Sequence, residues 1–120
     1  MRTCNLSELN LPDKHNRFIR SYVNGIADEP CVEKIILFGS CVKGNANIES
    51  DIDIFIITKN SLADDGVEKY NLLYRSTEGI PLSDYVYCDI LTASINDVQQ
   101  EATPLIRAVL REGVELNGML

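Results

Sequence analysis

The 120-residue sequence predicts an α/β or α+β two-layer domain, on three observations. Helical and strand-like segments alternate along the chain, an apolar strand implies a sheet with at least one covered face, and the helical segments carry one-sided apolar stripes. Apolar residues make up 45 % and charged residues 24 %, which is globular rather than disordered composition. A chain of this size can bury roughly two thirds of its unfolded surface without disulfides or structural metal. No repeat, low-complexity tract or Gly/Ser linker divides it, so residues 1–120 read as a single domain.

The first helix follows Pro12, a residue suited to the first helical position. Phe18, Ile19, Tyr22, Val23, Ile26 and Ala27 recur at three- and four-residue spacing and form its core stripe. Residues 34–38 (KIILF) form a short buried strand that stops at Gly39-Ser40, and residues 52–58 form a second strand rich in β-branched side chains. A weaker helical pattern over 62–77 uses Val67, Tyr70, Leu73 and Tyr74 and ends at Gly79 and Pro81. A third strand is expected over 85–91, with Tyr85, Tyr87 and Asp89 on one face and Val86, Cys88 and Ile90 on the other. Thr103-Pro104 reads as an N-cap and first-turn proline. Leu105, Ile106, Val109 and Leu110 supply the last stripe, and Gly113 closes that helix. Periodicity does not give strand direction.

A formal charge of −7, with the eleven Lys and Arg spread along the chain, disfavours general nucleic-acid binding. A triphosphate can still bind among carboxylates if divalent cations accompany it. No apolar run is long enough to span a bilayer and the first residues lack a secretory apolar stretch, so no membrane association and a cytoplasmic location are expected. Cys4, Cys31, Cys41 and Cys88 show neither zinc nor redox spacing; four reduced thiols are expected, with Cys88 a small core residue. His15, in a polar N-terminal stretch, reads as a solvated surface residue, and Arg107 and Arg111 as a solvated helix face. The five tyrosines read as core or interface aromatics rather than acceptors.

The segment 36–57, ILFGSCVKGNANIESDIDIFII, concentrates the chemistry. A glycine at a strand end lets the backbone turn sharply and approach a ligand, and the following amides and the Ser40 hydroxyl can donate to phosphate oxygens. Lys43 adds a positive charge nearby. Asp51 and Asp53 alternate onto one face of a strand, separated by roughly 7 Å of rise, where their oxygens can share hard cations such as magnesium. Taken singly, Gly-Ser is a plain turn and the aspartates are solvated strand-start residues. Together, G-S, ten residues and D-x-D arise by accident on the order of once per thousand such chains.

This spacing resembles the signature of the polymerase-β-type nucleotidyltransferases, most closely their minimal bacterial branch. The resemblance is strong over residues 34–57, and residues 104–116 are similar to that branch's final helix and short tail. It implies a mixed-sheet core flanked by helices, in which Gly39 and Ser40 touch the triphosphate while Asp51 and Asp53 bind magnesium, two ions in all. A third carboxylate is implied on a later strand. Asp89 is the chosen match, as ligand and proton acceptor, and Asp84 is its rival. Lys43 stands where the family commonly has arginine. No second domain is expected to grip an acceptor. Minimal members often act as antitoxins by transferring AMP from ATP to a small helical HEPN-type partner protein, which the resemblance implies here. A partner that neutralises by binding alone and a small-molecule nucleotidyltransferase are the alternatives; intact Gly39-Ser40 and carboxylates favour the enzyme.

Overall fold

The computed structural model describes residues 2–116. Along them run β1 (Arg2–Cys4), α1 (Asp13–Ile26), β2 (Val32–Phe38), α2 (Ser40–Lys43), β3 (Ile52–Thr58), α3 (Val67–Leu73), β4 (Cys88–Ser94), α4 (Ile95–Gln99), α5 (Pro104–Glu112) and β5 (Val114–Leu116). Single 3-10 turns occupy Leu6–Glu8, Arg75–Thr77 and Leu82–Asp84. The strands form one sheet in the order β1-β5-β2-β3-β4. β2 runs antiparallel to β3 and β5, whereas β3 with β4 and β1 with β5 are parallel. A parallel β3–β4 pair needs a crossover rather than a hairpin, and α3 lies within it. The α+β class expected from the sequence is the class observed.

β3 organises the core because alternate residues leave opposite faces. Ile52, Ile54 and Ile56 pack with Phe18, Ile19, Tyr22 and Ile26 of α1 and with Leu72 of α3. Phe55 and Ile57 pack the other way with Ile36, Val98, Ile106 and Val109, beneath α4 and α5. Tyr22 is fully buried, its hydroxyl donating to the Leu72 carbonyl at 2.6 Å, so the phenol brings its own polar partner into the core. At α5, Thr103 Oγ1 accepts from the Ile106 amide at 3.1 Å and Pro104 opens the helix, as the sequence predicts. Gly113 ends it, donating to Val109 O at 2.7 Å; a Cβ there would lie 2.6 Å from Ile36 Cγ2, so only glycine lets β5 settle against β2.

Several expectations need correction. The 62–77 pattern shrinks to α3 and a 3-10 turn, and its supposed core stripe is outside: Val67, Tyr70 and Tyr74 are exposed while Leu72 is buried. Those residues do recur at helical spacing, but spacing alone does not say what will cover them; the Tyr70 and Tyr74 rings, 5.6 Å apart, shelter each other. The third strand begins three residues later than expected because Leu82–Asp84 form a turn and Tyr85 packs edge-on against Phe18, centroids 5.3 Å apart. Ala27 caps α1 in solvent, Leu105 is exposed, and Cys88 is half-buried. All four cysteines are free thiols. His15 is buried, not solvated. It falls three and four residues before Phe18 and Ile19 and so lies on the same inward stripe of α1.

Candidate active site

β2 ends at Phe38, and Gly39 turns the chain into α2 with φ +75° and ψ −151°, a combination essentially restricted to glycine. A Cβ at Gly39 would collide with Asp53 Oδ2 and stand 3.2 Å from its Cγ. The two motif halves, distant in sequence, are therefore in direct contact. The β2–β3 register, which pairs Phe38 with Asp53, brings them there.

Across β3 and β4, Asp53 pairs with Asp89, and the Ile52 amide donates to Tyr87 O at 2.9 Å, carrying the ladder one residue beyond β4. Alternation puts Asp53 and Asp89 on the face of Phe55 and Ile57, but helix cover stops short of them: Asp89 is exposed and Leu91 is 37 % exposed. Asp51, exposed just before β3, follows the same alternation. Burial raises the Asp53 pKa above the usual carboxylate value, and the charges of Asp89 and Asp51 raise it further. The three aspartates thus form one electrostatic cluster. Two thiols lie close to it. Burial, then Asp53, pushes Cys41 up to about 11; burial, then Asp53, Asp89 and Cys41, pushes Cys88 up to about 12. Both remain protonated at neutral pH and are poor ligands in that state. The exposed Tyr87 hydroxyl is also raised, first by its hydrogen bond to Asp89 and then by that residue's charge.

Ser40 begins α2 beside Gly39, and Lys43 is exposed in its last turn; among the described residues Lys43 makes no ion pair with the three aspartates. Asp84 lies elsewhere, its Oδ1 3.4 Å from Arg17 Nε of α1. Two residues overlooked in the sequence touch the backbone around Asp51. His15 Nε2 is 2.6 Å from Ser50 O, and Cys41 Sγ is 3.7 Å from Asp51 O. The helical phase of His15 with Phe18 and Ile19 was a readable signal for its burial.

The donor set suits a hard cation. Carboxylate oxygens match magnesium, and burial followed by repulsion from Asp89 and Asp51, which together raise Asp53, are penalties on its charge that a cation relieves. Among the described residues no three His, Cys, Asp or Glu side chains close into a finished cage. That is compatible with magnesium, which usually takes one or two carboxylates and completes its shell with water and substrate phosphate. A cavity of about 550 Å³ lies elsewhere, between α1 and the α3 region, lined by polar groups including Ser21, Asn24, Asn71 and Arg75, with none of the three aspartates in its lining. The chemistry follows the carboxylates, not the volume.

A mixed sheet that gathers three carboxylates on its open face beside a glycine turn is a geometry compatible with metal-assisted phosphoryl chemistry. The family model described as "Polymerase beta, Nucleotidyltransferase" matches residues 23–118, and the chain belongs to that family. It is a nucleotidyltransferase, of a family that is typically metal-dependent. No curated protein and no solved structure matches the chain. Among the described residues no helix is long and apolar enough to cross a membrane.

Proposed function

We propose that this chain moves a nucleoside monophosphate, AMP from ATP, to a hydroxyl on a small helical partner of the HEPN type, and serves as that partner's antitoxin. The observation that carries the transfer chemistry is Asp53 in register with Asp89 on an open sheet face, with Asp51 ahead of it and Gly39 against it. Asp51, Asp53 and Asp89 would hold magnesium, two ions by family resemblance. When bound, the ions supply the positive charge that lets a triphosphate approach a chain of net charge −7 and that polarises the attacked phosphorus. Gly39 leaves room for phosphate beside Asp53, and the turn amides and Ser40 hydroxyl donate to its oxygens. Lys43 adds a cation at the end of α2. Asp89, being exposed, accepts the proton of the incoming hydroxyl as the new P–O bond forms and pyrophosphate leaves.

A protein acceptor fits this site better than free nucleic acid. The acidic surface repels phosphate backbones, whereas exposed Tyr87 and Leu91 flank Asp89 with surface on which a protein can dock. Docking would orient the hydroxyl within about 3 to 3.5 Å of the phosphorus. The reading also needs cytoplasmic ATP. The test is incubation with magnesium, labelled ATP and a HEPN-type protein. A partner heavier by one or a few AMP units, with no label under excess chelator, is expected. An unlabelled partner still neutralised by the Asp51→Asn, Asp53→Asn double variant would show that binding alone is the function.

A further inference from the structure

Asp51 lies just outside β3, so the sheet ladder alone does not set its direction. Its segment is ordered first by a local turn. The Ser50 amide donates to Asn47 O at 3.0 Å, the Asn47 amide to Ser50 Oγ at 2.9 Å, and the Glu49 amide to Asn47 Oδ1 at 2.8 Å. That turn is then fastened to the body at three points around Asp51. Downstream, the Ile52 amide donates to Tyr87 O; on Asp51 itself, Cys41 Sγ makes a long contact of 3.7 Å with the carbonyl; upstream, His15 Nε2 is 2.6 Å from Ser50 O. The last is the shortest and comes from a different layer, 35 residues away on α1.

His15 is 0 % exposed, in a stripe otherwise filled by Phe18, Ile19, Tyr22 and Val23. A carbonyl can only accept, so Nε2 carries the proton, and in the neutral ring Nδ1 is left bare. Among the described residues, Nδ1 is buried without a partner. A buried polar atom without a partner is a cost that leucine at this position would avoid. What histidine offers and leucine does not is a rigid donor that reaches the Ser50 carbonyl. Because the peptide unit is planar, holding that carbonyl fixes the plane joining Ser50 to Asp51 and so biases the direction of the Asp51 Cα–Cβ bond.

We infer that His15 is a positioning residue that clamps the Ser50–Asp51 peptide and thereby aims the Asp51 carboxylate into the cluster with Asp53 and Asp89. The inference rests on the reading of Asp51 as a metal-binding carboxylate, and it goes beyond the motif because His15 lies 35 residues from Ser50 and reaches it through a backbone carbonyl. Outer partners that orient metal-binding groups typically cost about 10- to 100-fold in affinity or activity when removed.

The test uses His15→Leu, which fills the space without a donor, and His15→Gln, whose amide can donate to Ser50 O. Amide hydrogen exchange is read residue by residue without nucleotide or metal. In His15→Leu, exchange at the Ser50 and Ile52 amides, bonded to Asn47 O and Tyr87 O, is expected to rise about tenfold or more, with Val109 and Ile106 on the far face unchanged. Transfer should fall about 10- to 100-fold. The magnesium concentration for half-maximal rate should rise with it, and His15→Gln should recover most of each effect. In the wild-type chain, imidazole nitrogen shifts should show Nε2 protonated and Nδ1 bare. A uniform rise in exchange, a glutamine variant no better than leucine, or a ring protonated at Nδ1 and bare at Nε2 would overturn the clamp. Should His15→Leu not fold, His15→Asn, polar but too short to reach Ser50, replaces it. A wild-type chain that transfers nothing would sink the functional reading, while exchange at Ser50 and Ile52 would still decide the clamp.

Discussion

The two faces of β3 follow different rules although their residues alternate in one strand. Ile52, Ile54 and Ile56 are completely buried under α1, forming a continuous apolar layer. The opposite face is apolar only where α4 and α5 cover it, at Phe55 and Ile57, and turns acidic at Asp53 where the cover ends. One face is closed, and the other keeps like charges close together at some cost in stability. Stability and chemistry are thus separated by one residue and half a turn of pleat.

That contrast can be broken most severely at its centre. Asp53→Asn is expected to lower transfer by a hundredfold to a thousandfold or more, since a neutral amide cannot replace a carboxylate between cations. Its neighbour Ile54→Ala should instead cost about 2 to 5 kcal/mol of stability and leave transfer per folded molecule nearly intact. Denaturant melts beside labelled-nucleotide assays separate the two, and equal losses in both assays would erase the distinction between faces. The Asp53 substitution also carries a pH signature. A carboxyl with a raised native pKa binds protons more readily folded than unfolded, so its charge weighs against the fold at neutral pH and the penalty disappears as pH falls and it is protonated. Without metal, Asp53→Asn should therefore raise Tm slightly at neutral pH and not at acid pH; a lowered Tm at neutral pH would contradict a carboxylate penalised by burial and by its like-charged neighbours.

At the junction of the faces, Gly39→Ala is expected to cost about 1 to 3 kcal/mol from backbone strain alone. It should also weaken transfer by pushing Asp53 aside, because the added methyl collides with that carboxylate. Moving outward, Asp89→Ala and Asp84→Ala sharpen the assignment of the third carboxylate. Asp89→Ala should stop turnover while sparing much of nucleotide binding. Asp84→Ala removes only a partly exposed ion pair with Arg17, worth about 0 to 1 kcal/mol, and should leave turnover unchanged. The reverse outcome would move the third carboxylate to Asp84.

The turn at Gly39-Ser40 and the shared face of Asp51 and Asp53 were legible in the sequence, because a glycine at a strand end and strand alternation are local signals. α1 and α5 were legible for a similar reason: local periodicity, Thr103-Pro104 and Gly113 specify helices without distant contacts. The α3 region was not. Val67, Tyr70 and Tyr74 repeat as a core stripe would, and only the presence of α1 over Leu72 and of solvent over the tyrosines decides which face is inside. Asp89 had the right parity in the sequence, but its pairing with Asp53 depends on a crossover whose length and direction no local signal encodes. His15 depended on the same kind of information: its helical phase was readable, its carbonyl partner 35 residues away was not. Residue type and period act over a few bonds, whereas register, cover and the meeting of distant backbones are set by how whole elements exclude water together.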